Sequence, residues 1–186
     1  HLFTQHNKMG GEIGQYINQF LRPNLEHKLK RKKWDITPYV NVFNSVPEKG
    51  FKQFMDFPRY STGYTTLFNT IGMMVETRML KPYKQRVEGT YELMVSMIEI
   101  LDADSYKIKS LRKNAFKKIY AQEKYTLDWT VDEDKNTTLD FKGYEGNMID
   151  SKVTNAQRLK YYCSKPFTNP VIYQNHFKPS AQITIP

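Results

Sequence analysis

The sequence predicts an α/β protein: a helix-bearing part over residues 1–122, then a β-rich extension over residues 123–186. Three patterns predict it. Before residue 122, apolar residues recur at helical spacing in several stretches. Among them, residues 61–76 read as a short helix, a glycine and a short apolar strand. From Tyr125 onward the apolar residues alternate, which is the period of a half-buried strand.

In chain order, Gly10-Gly11 precedes Ile13, Tyr16, Ile17, Phe20 and Leu21, spaced to share one helical face, and Leu25 and Leu29 continue the stripe past Pro23. Pro23 either bends this run or begins a second turn. A basic cluster, His27 to Lys33, closes it, and cations there suit the negative end of the helix dipole. Tyr39-Val40-Asn41-Val42-Phe43 is rich in strand formers, and residues 44–50 carry loop chemistry. Ser61 or Thr62 is placed to cap a short helix that Gly72 ends, and Met73-Met74-Val75 reads as a short buried strand. Lys81-Pro82-Tyr83 turns the chain into a long amphipathic helix marked by Val87, Tyr91, Met94, Ile98 and Leu101. Asp102-Ala103-Asp104 interrupts it before a basic helix that runs to about Gln122. The strand candidates beyond are Tyr125–Val131, Thr137–Tyr144, Pro170–Tyr173 and Ala181–Ile185, the first two joined by a polar turn at Asp132-Glu133-Asp134.

Composition narrows the function classes. The 186 residues suit one domain or one domain with an appendage, and 13 Tyr and 11 Phe supply enough apolar area for a core. No charged segment followed by an apolar stretch marks a signal peptide, and no apolar run approaches the ~18 residues of a membrane span, so no membrane partner is expected. A single cysteine, Cys163, excludes an internal disulfide; with no histidine near it in sequence, it reads as a packing residue. The net charge of +9 is concentrated in the basic run at 27–33 and in Lys107, Lys109, Arg112, Lys113, Lys117 and Lys118. The second group alternates with Ile108, Leu111, Ala115, Phe116 and Ile119, so its cations form the solvated face of an amphipathic helix. Neither group has the interleaved aromatics of a base-stacking surface, and no nucleic-acid partner is expected.

Short motifs add little. None of the four histidines, His1, His6, His27 and His176, stands in an H-x-x-E or H-E-x-x-H arrangement, and no phosphate loop, dinucleotide fingerprint or nucleophile elbow is present. Asn136-Thr137-Thr138 matches a glycosylation acceptor, a pattern that arises often by chance. Glu76, at the carboxyl end of a short strand, is where open α/β sheets gather ligands. Its plainer reading is an ion pair with Arg78 or a surface carboxylate beyond the strand.

The run Pro58-Arg59-Tyr60-Ser61-Thr62-Gly63-Tyr64, continued by Asn69-Thr70-Ile71-Gly72-Met73-Met74-Val75-Glu76-Thr77-Arg78-Met79-Leu80-Lys81-Pro82-Tyr83, resembles a bacterial branch of the carboxypeptidase A-like zinc metallopeptidases. Thr4-Gln5-His6-Asn7-Lys8-Met9-Gly10-Gly11 looks like the same branch. The resemblance covers most of residues 4–101 and implies the C-terminal portion of a partial three-layer α/β/α catalytic domain with a mixed sheet, with residues 123–186 as a β-rich extension. It implies that Glu76 is the general base and then the general acid of peptide or amide hydrolysis. Arg59, Tyr60, Tyr64 and Arg78 would hold the substrate's terminal carboxylate, and the spacing leaves open which tyrosine matches.

The cofactor the resemblance implies is zinc in the complete protein. Its histidine–glutamate pair, its third histidine and the main carboxylate-binding arginines would lie upstream of Thr4, so this chain alone is expected to hold no catalytic zinc and to turn over nothing. His1 lacks the neighbours expected of a ligand. An absent upstream lobe would also expose apolar sheet edge and favour self-association. The resemblance further suggests an exported protein, periplasmic or extracellular. A second reading keeps the groove without the chemistry, as a module that binds peptides or cell-wall fragments.

Overall fold

A computed structural model describes residues 2–40, 45–77 and 81–185. The fold is α/β, with helix over 41% and strand over 30% of the chain, so neither dominates. It divides into two compact units: His1–Pro38, Asp56–Tyr125 and Gln182–Pro186 in one, Tyr39–Met55 and Thr126–Ala181 in the other.

The first unit is mainly helical. β1 (Leu2–Phe3) leads into α1 (His6–Met9) and α2 (Gly11–Tyr16). A π-helical turn, Ile17–Leu21, continues into α3 (Arg22–Arg31), with Pro23 in its first turn. Proline lacks the N–H that would bond back along an α-helix, and the widened turn before it lets the run continue. The predicted stripe is the core: Ile13, Ile17, Leu21, Leu25 and Leu29 are at most 2% exposed, whereas Phe20 is 41% exposed. Lys28, Lys30 and Arg31 occupy the last turn of α3. Lys28 and Lys32 pair with Glu99 and Glu92.

α4 (Ser61–Thr66) and β3 (Met73–Met74) come next, and β3 pairs antiparallel with β1, Leu2 opposite Met74 and Phe3 opposite Met73. β3 is half-buried where a buried strand was expected. α5 (Tyr83–Ala103) and α6 (Ser105–Ala121) complete the unit. α6 follows its pattern: Ile108, Leu111 and Ala115 pack on the core, and Lys109, Lys113, Lys117 and Lys118 are exposed. α5 does not. Val87, Tyr91, Met94 and Ile98 of the predicted stripe face solvent, and Leu93, Ser96 and Met97 are buried instead, with Ile100 and Leu101 packed beside them. The helix is apolar on two sides, and the core takes the side that meets α3. No described helix is long and apolar enough to cross a membrane.

The second unit holds the mixed sheet, which the sequence placed in the first. β2 (Phe51–Lys52) runs parallel to β6 (Gln157–Gln174), and β6 pairs antiparallel with β5 (Thr137–Asp150). β4 (Lys124–Val131) pairs with β7 (Phe177–Thr184). The β5–β6 ribbon is far longer than the strands expected at 137–144 and 170–173. Pro166 and Pro170 hid its second arm, because proline interrupts a strand pattern; among the described residues only one edge is paired along most of β6, and there proline is tolerated. Opposite Phe167, Gly143 makes room for aromatic rings: a Cβ would stand 2.5 Å from the Phe141 ring and 3.3 Å from that of Phe167. Phe51, Val171 and Tyr173 form the small core, with Val40, Leu139 and Phe141 around it. Tyr39 and Val40 are irregular, and the rest of the strand expected at 39–43 lies outside the described residues. Cys163 is exposed on β6, so it is not the packing residue expected.

Candidate functional site

Glu76 stands two residues beyond β3 and is exposed. The extended chain around β3 explains how it comes to face solvent. Ile71, Met73 and Val75 pack on the helical core, so the alternate positions Gly72, Met74 and Glu76 turn to the opposite side. Arg78, the remaining predicted binding residue, lies outside the described residues, as does His1.

The base of this strand is held from two directions. On one side the Thr4 backbone N–H donates to the Gly72 carbonyl at 2.9 Å, and the Gly72 N–H donates to Thr4 Oγ1 at 2.7 Å. Thr4 Oγ1 also lies 3.2 Å from Thr65 Oγ1, which donates to the Thr62 carbonyl at 2.9 Å. Gly72 is needed for this close approach, because a Cβ there would fall 2.6 Å from Thr65 Oγ1. On the other side Arg112 of α6 donates to the Asn69 carbonyl at 3.0 Å and to Thr70 Oγ1 at 2.9 Å. This cation of the second basic cluster is therefore bound to the loop that leads to β3.

The α4 end of the site departs from expectation at both termini. Neither Ser61 nor Thr62 caps the helix; Tyr60 is its extended N-cap residue and makes no side-chain cap bond. Thr62 instead donates its hydroxyl to Asp56 Oδ2. The helix ends at Thr66, and the left-handed residue that follows is Asn69 (φ 46°) and not Gly72.

Asp56 is fully buried, and its Oδ1 has no hydrogen-bond partner among the described residues. Lys8 of α1 reaches its backbone carbonyl, and the Asp56 N–H donates to Gln5 Oε1 at 3.4 Å. Burial pushes the Asp56 carboxyl above its ordinary range, against the opposing pull of the Thr62 hydroxyl and the Lys8 charge. Burial likewise lowers Lys8, with Asp56 acting the other way.

Of the predicted binding residues, Arg59 and Tyr60 are brought together directly. The guanidinium donates to the Tyr60 hydroxyl and lies 4.7 Å from the centre of its ring. Tyr64 is 53% exposed and leans on Phe68, ring centres 5.1 Å apart. An accessible carboxylate thus follows a pinned strand, and Arg59 and Tyr60 precede the short helix that carries Tyr64; among the described residues no hydrogen bond or ion pair joins Glu76 to these three. Only Thr62 was given a part from sequence, as a helix cap, in the polar chain Thr4, Lys8, Asp56, Thr62 and Thr65 that holds the site. Its one local signal is Asp56 two residues before Pro58, ahead of a helix start.

Among the described residues, no three histidine, cysteine, aspartate or glutamate side chains stand close enough to share a metal ion. These residues alone do not fit a catalytic zinc. Comparison of the chain with protein-family models, with curated proteins and with solved structures finds no match.

Proposed function

We propose that the chain is a portion of a zinc metallocarboxypeptidase-like hydrolase that cleaves a peptide or amide bond in the complete protein. The observation that carries this reading is Glu76, an exposed carboxylate at the carboxyl end of a strand anchored through Thr4, Gly72 and Arg112, within the run whose residues resemble that family. In this reading the Glu76 carboxylate takes a proton from the attacking water and delivers it to the leaving amine. Arg59, with Tyr60 beside it and Tyr64 one turn further on, offers N–H and O–H donors to the carboxylate of a peptide end, and Arg78 is assigned to the same task. Zinc is the cofactor, held in the complete protein by residues upstream of these.

The partner is a peptide or peptide-like substrate, and no nucleic acid belongs to this reading. Lys28, Lys32 and Arg112 are already engaged within the unit, and the lysines of α6 form a solvated face. The reading also carries self-association, through the apolar sheet edge that an absent upstream lobe would expose. A second reading, a module that binds peptide ends without cleaving them, draws on the same Arg59–Tyr60 pair, which suits a carboxylate with no metal.

Zinc content separates the two. Elemental analysis is made of this chain and of a version extended upstream of His1. Stoichiometric zinc in the longer protein, with Glu76→Gln retaining the metal and losing roughly 10²–10⁴-fold in turnover, supports the hydrolase. Zinc in neither protein replaces it with the binding module.

A further inference from the structure

The outward face of α5 is an apolar row with ends of opposite charge. Val87, Tyr91, Met94 and Ile98 are 49%, 63%, 56% and 62% exposed, while the helix buries Leu93 and Met97 on its other side. Their spacing of four, three and four residues aligns them along about 16 Å of helix. With ordinary side-chain areas, the row presents roughly 400–500 Å², in the range of the largest apolar patch of a typical monomer, which is often functional. Lys84, its side chain 84% exposed and its Nζ 3.7 Å from the half-exposed Glu88 of the same helix, lies just before the row, and Asp102 is exposed one turn after it. At about 100° per residue both stand to the same side of the row. The neighbouring acids at that end are engaged within the chain: Glu99 pairs with Lys28, and Asp104 accepts from the Tyr16 hydroxyl at 2.7 Å.

We propose that this face binds the same face of a second copy, with the two α5 helices antiparallel about a twofold axis between Tyr91 and Met94. In that register Tyr91 of each copy lies against Met94 of the other, and Val87 against Ile98. Lys84 of each copy meets Asp102 of the other, and this pair is made twice. Antiparallel packing sets positions on the same side of the row against each other, as the shared side of Lys84 and Asp102 requires. A parallel pair would set opposite sides of the row against each other, so neither Lys84 nor Asp102 would meet the opposite charge, and charge selects the antiparallel arrangement. Such an interface is isologous and closes at two copies. The two rows together bury about 900 Å² before any rim is added, below the ~1,200–2,000 Å² of stable complexes, so the dimer is weak.

Sedimentation of the chain from micromolar to millimolar concentration tests this. The expected result is a reversible monomer–dimer equilibrium that Met94→Glu abolishes with no loss of folding, since Met94 is exposed. Lys84→Glu and Asp102→Lys are each expected to weaken the dimer about tenfold, and the double variant to restore it to within about threefold. A monomer at every concentration would overturn the proposal, as would a dimer indifferent to Met94→Glu, which would point to another surface such as the β1–β3 edges. Two weakened single variants without rescue would overturn the antiparallel register. A version extended upstream of His1 that stays monomeric and shields Met94 from oxidation would show that the row is covered within its own chain, and would also overturn it.

Discussion

Each unit of this chain buries an aspartate, and the two are treated in opposite ways. Asp56, in the helical unit, is fully buried; its carboxylate accepts from Thr62, while the nearest cation, Lys8, is bound to its backbone carbonyl. Asp132, in the β unit, is 6% exposed, and its two oxygens meet Lys178 at 3.3 Å and Lys135 at 3.5 Å. Burial acts on both in the same direction. In Asp56 it prevails and the carboxyl is raised; in Asp132 the two lysines outweigh it and the carboxyl is lowered. What a buried acid experiences is therefore set less by depth than by which of its atoms the neighbouring cation reaches.

The comparison can be broken in three ways, the largest effect first. Thr62→Val keeps the shape of the side chain but removes the hydroxyl that Asp56 accepts, leaving a buried carboxyl with no hydrogen bond. The expected loss is about 1–3 kcal/mol in urea unfolding, and a loss near zero would mean that Asp56 is solvated. Second, the two aspartates should tilt the pH dependence of stability in opposite senses. The raised pKa of Asp56 contributes stability that is fully present below its ordinary value of 3.8 and is lost as pH rises through the folded value. Asp56→Asn should therefore gain on the parent as pH rises above about 4. The lowered pKa of Asp132 contributes stability present above 3.8 and lost as pH falls through the folded value. The deficit of Asp132→Asn should accordingly shrink as the solution is acidified below about 4, and parallel profiles for the two variants would refute the contrast. Third, Lys178→Met should lower the melting temperature less than Thr62→Val does, with the difference fading in high salt, because this lysine is half exposed. A salt-independent loss would show that its methylene stem, and not its charge, supports the unit.

Much of the helical unit was legible in the sequence. The stripe from Ile13 to Leu29 was read correctly because a helix buried on one side repeats its apolar residues every 3.6 positions. The lysines of α6 were read as a solvated face on the same ground. α5 shows where this reading stops: Val87, Tyr91, Met94 and Ile98 are as periodic as Leu93, Met97 and Ile100, and periodicity cannot choose between two apolar sides. In the β unit the alternation at Tyr125–Val131 was clear, but Pro166 and Pro170 concealed half of β6, since proline is barred only where both edges of a strand are paired. At the candidate site the exposed residues Glu76, Arg59, Tyr60 and Tyr64 were named in advance. The polar contacts that hold them were not, because Thr4 and Gly72, or Lys8 and Asp56, are neighbours only after folding.

By itself, then, the sequence determined the class of fold, the helical core of α2 and α3, the alternation of the later strands and the placement of Glu76 after a short strand. Those features rest on local spacing, which the chain carries wherever it goes. Only the tertiary structure decided which side of α5 is buried, that the mixed sheet is formed by β2, β5 and β6, and that Thr62 serves Asp56 instead of capping its helix. Each of these depends on a partner distant in sequence, and no local pattern records which partner arrives.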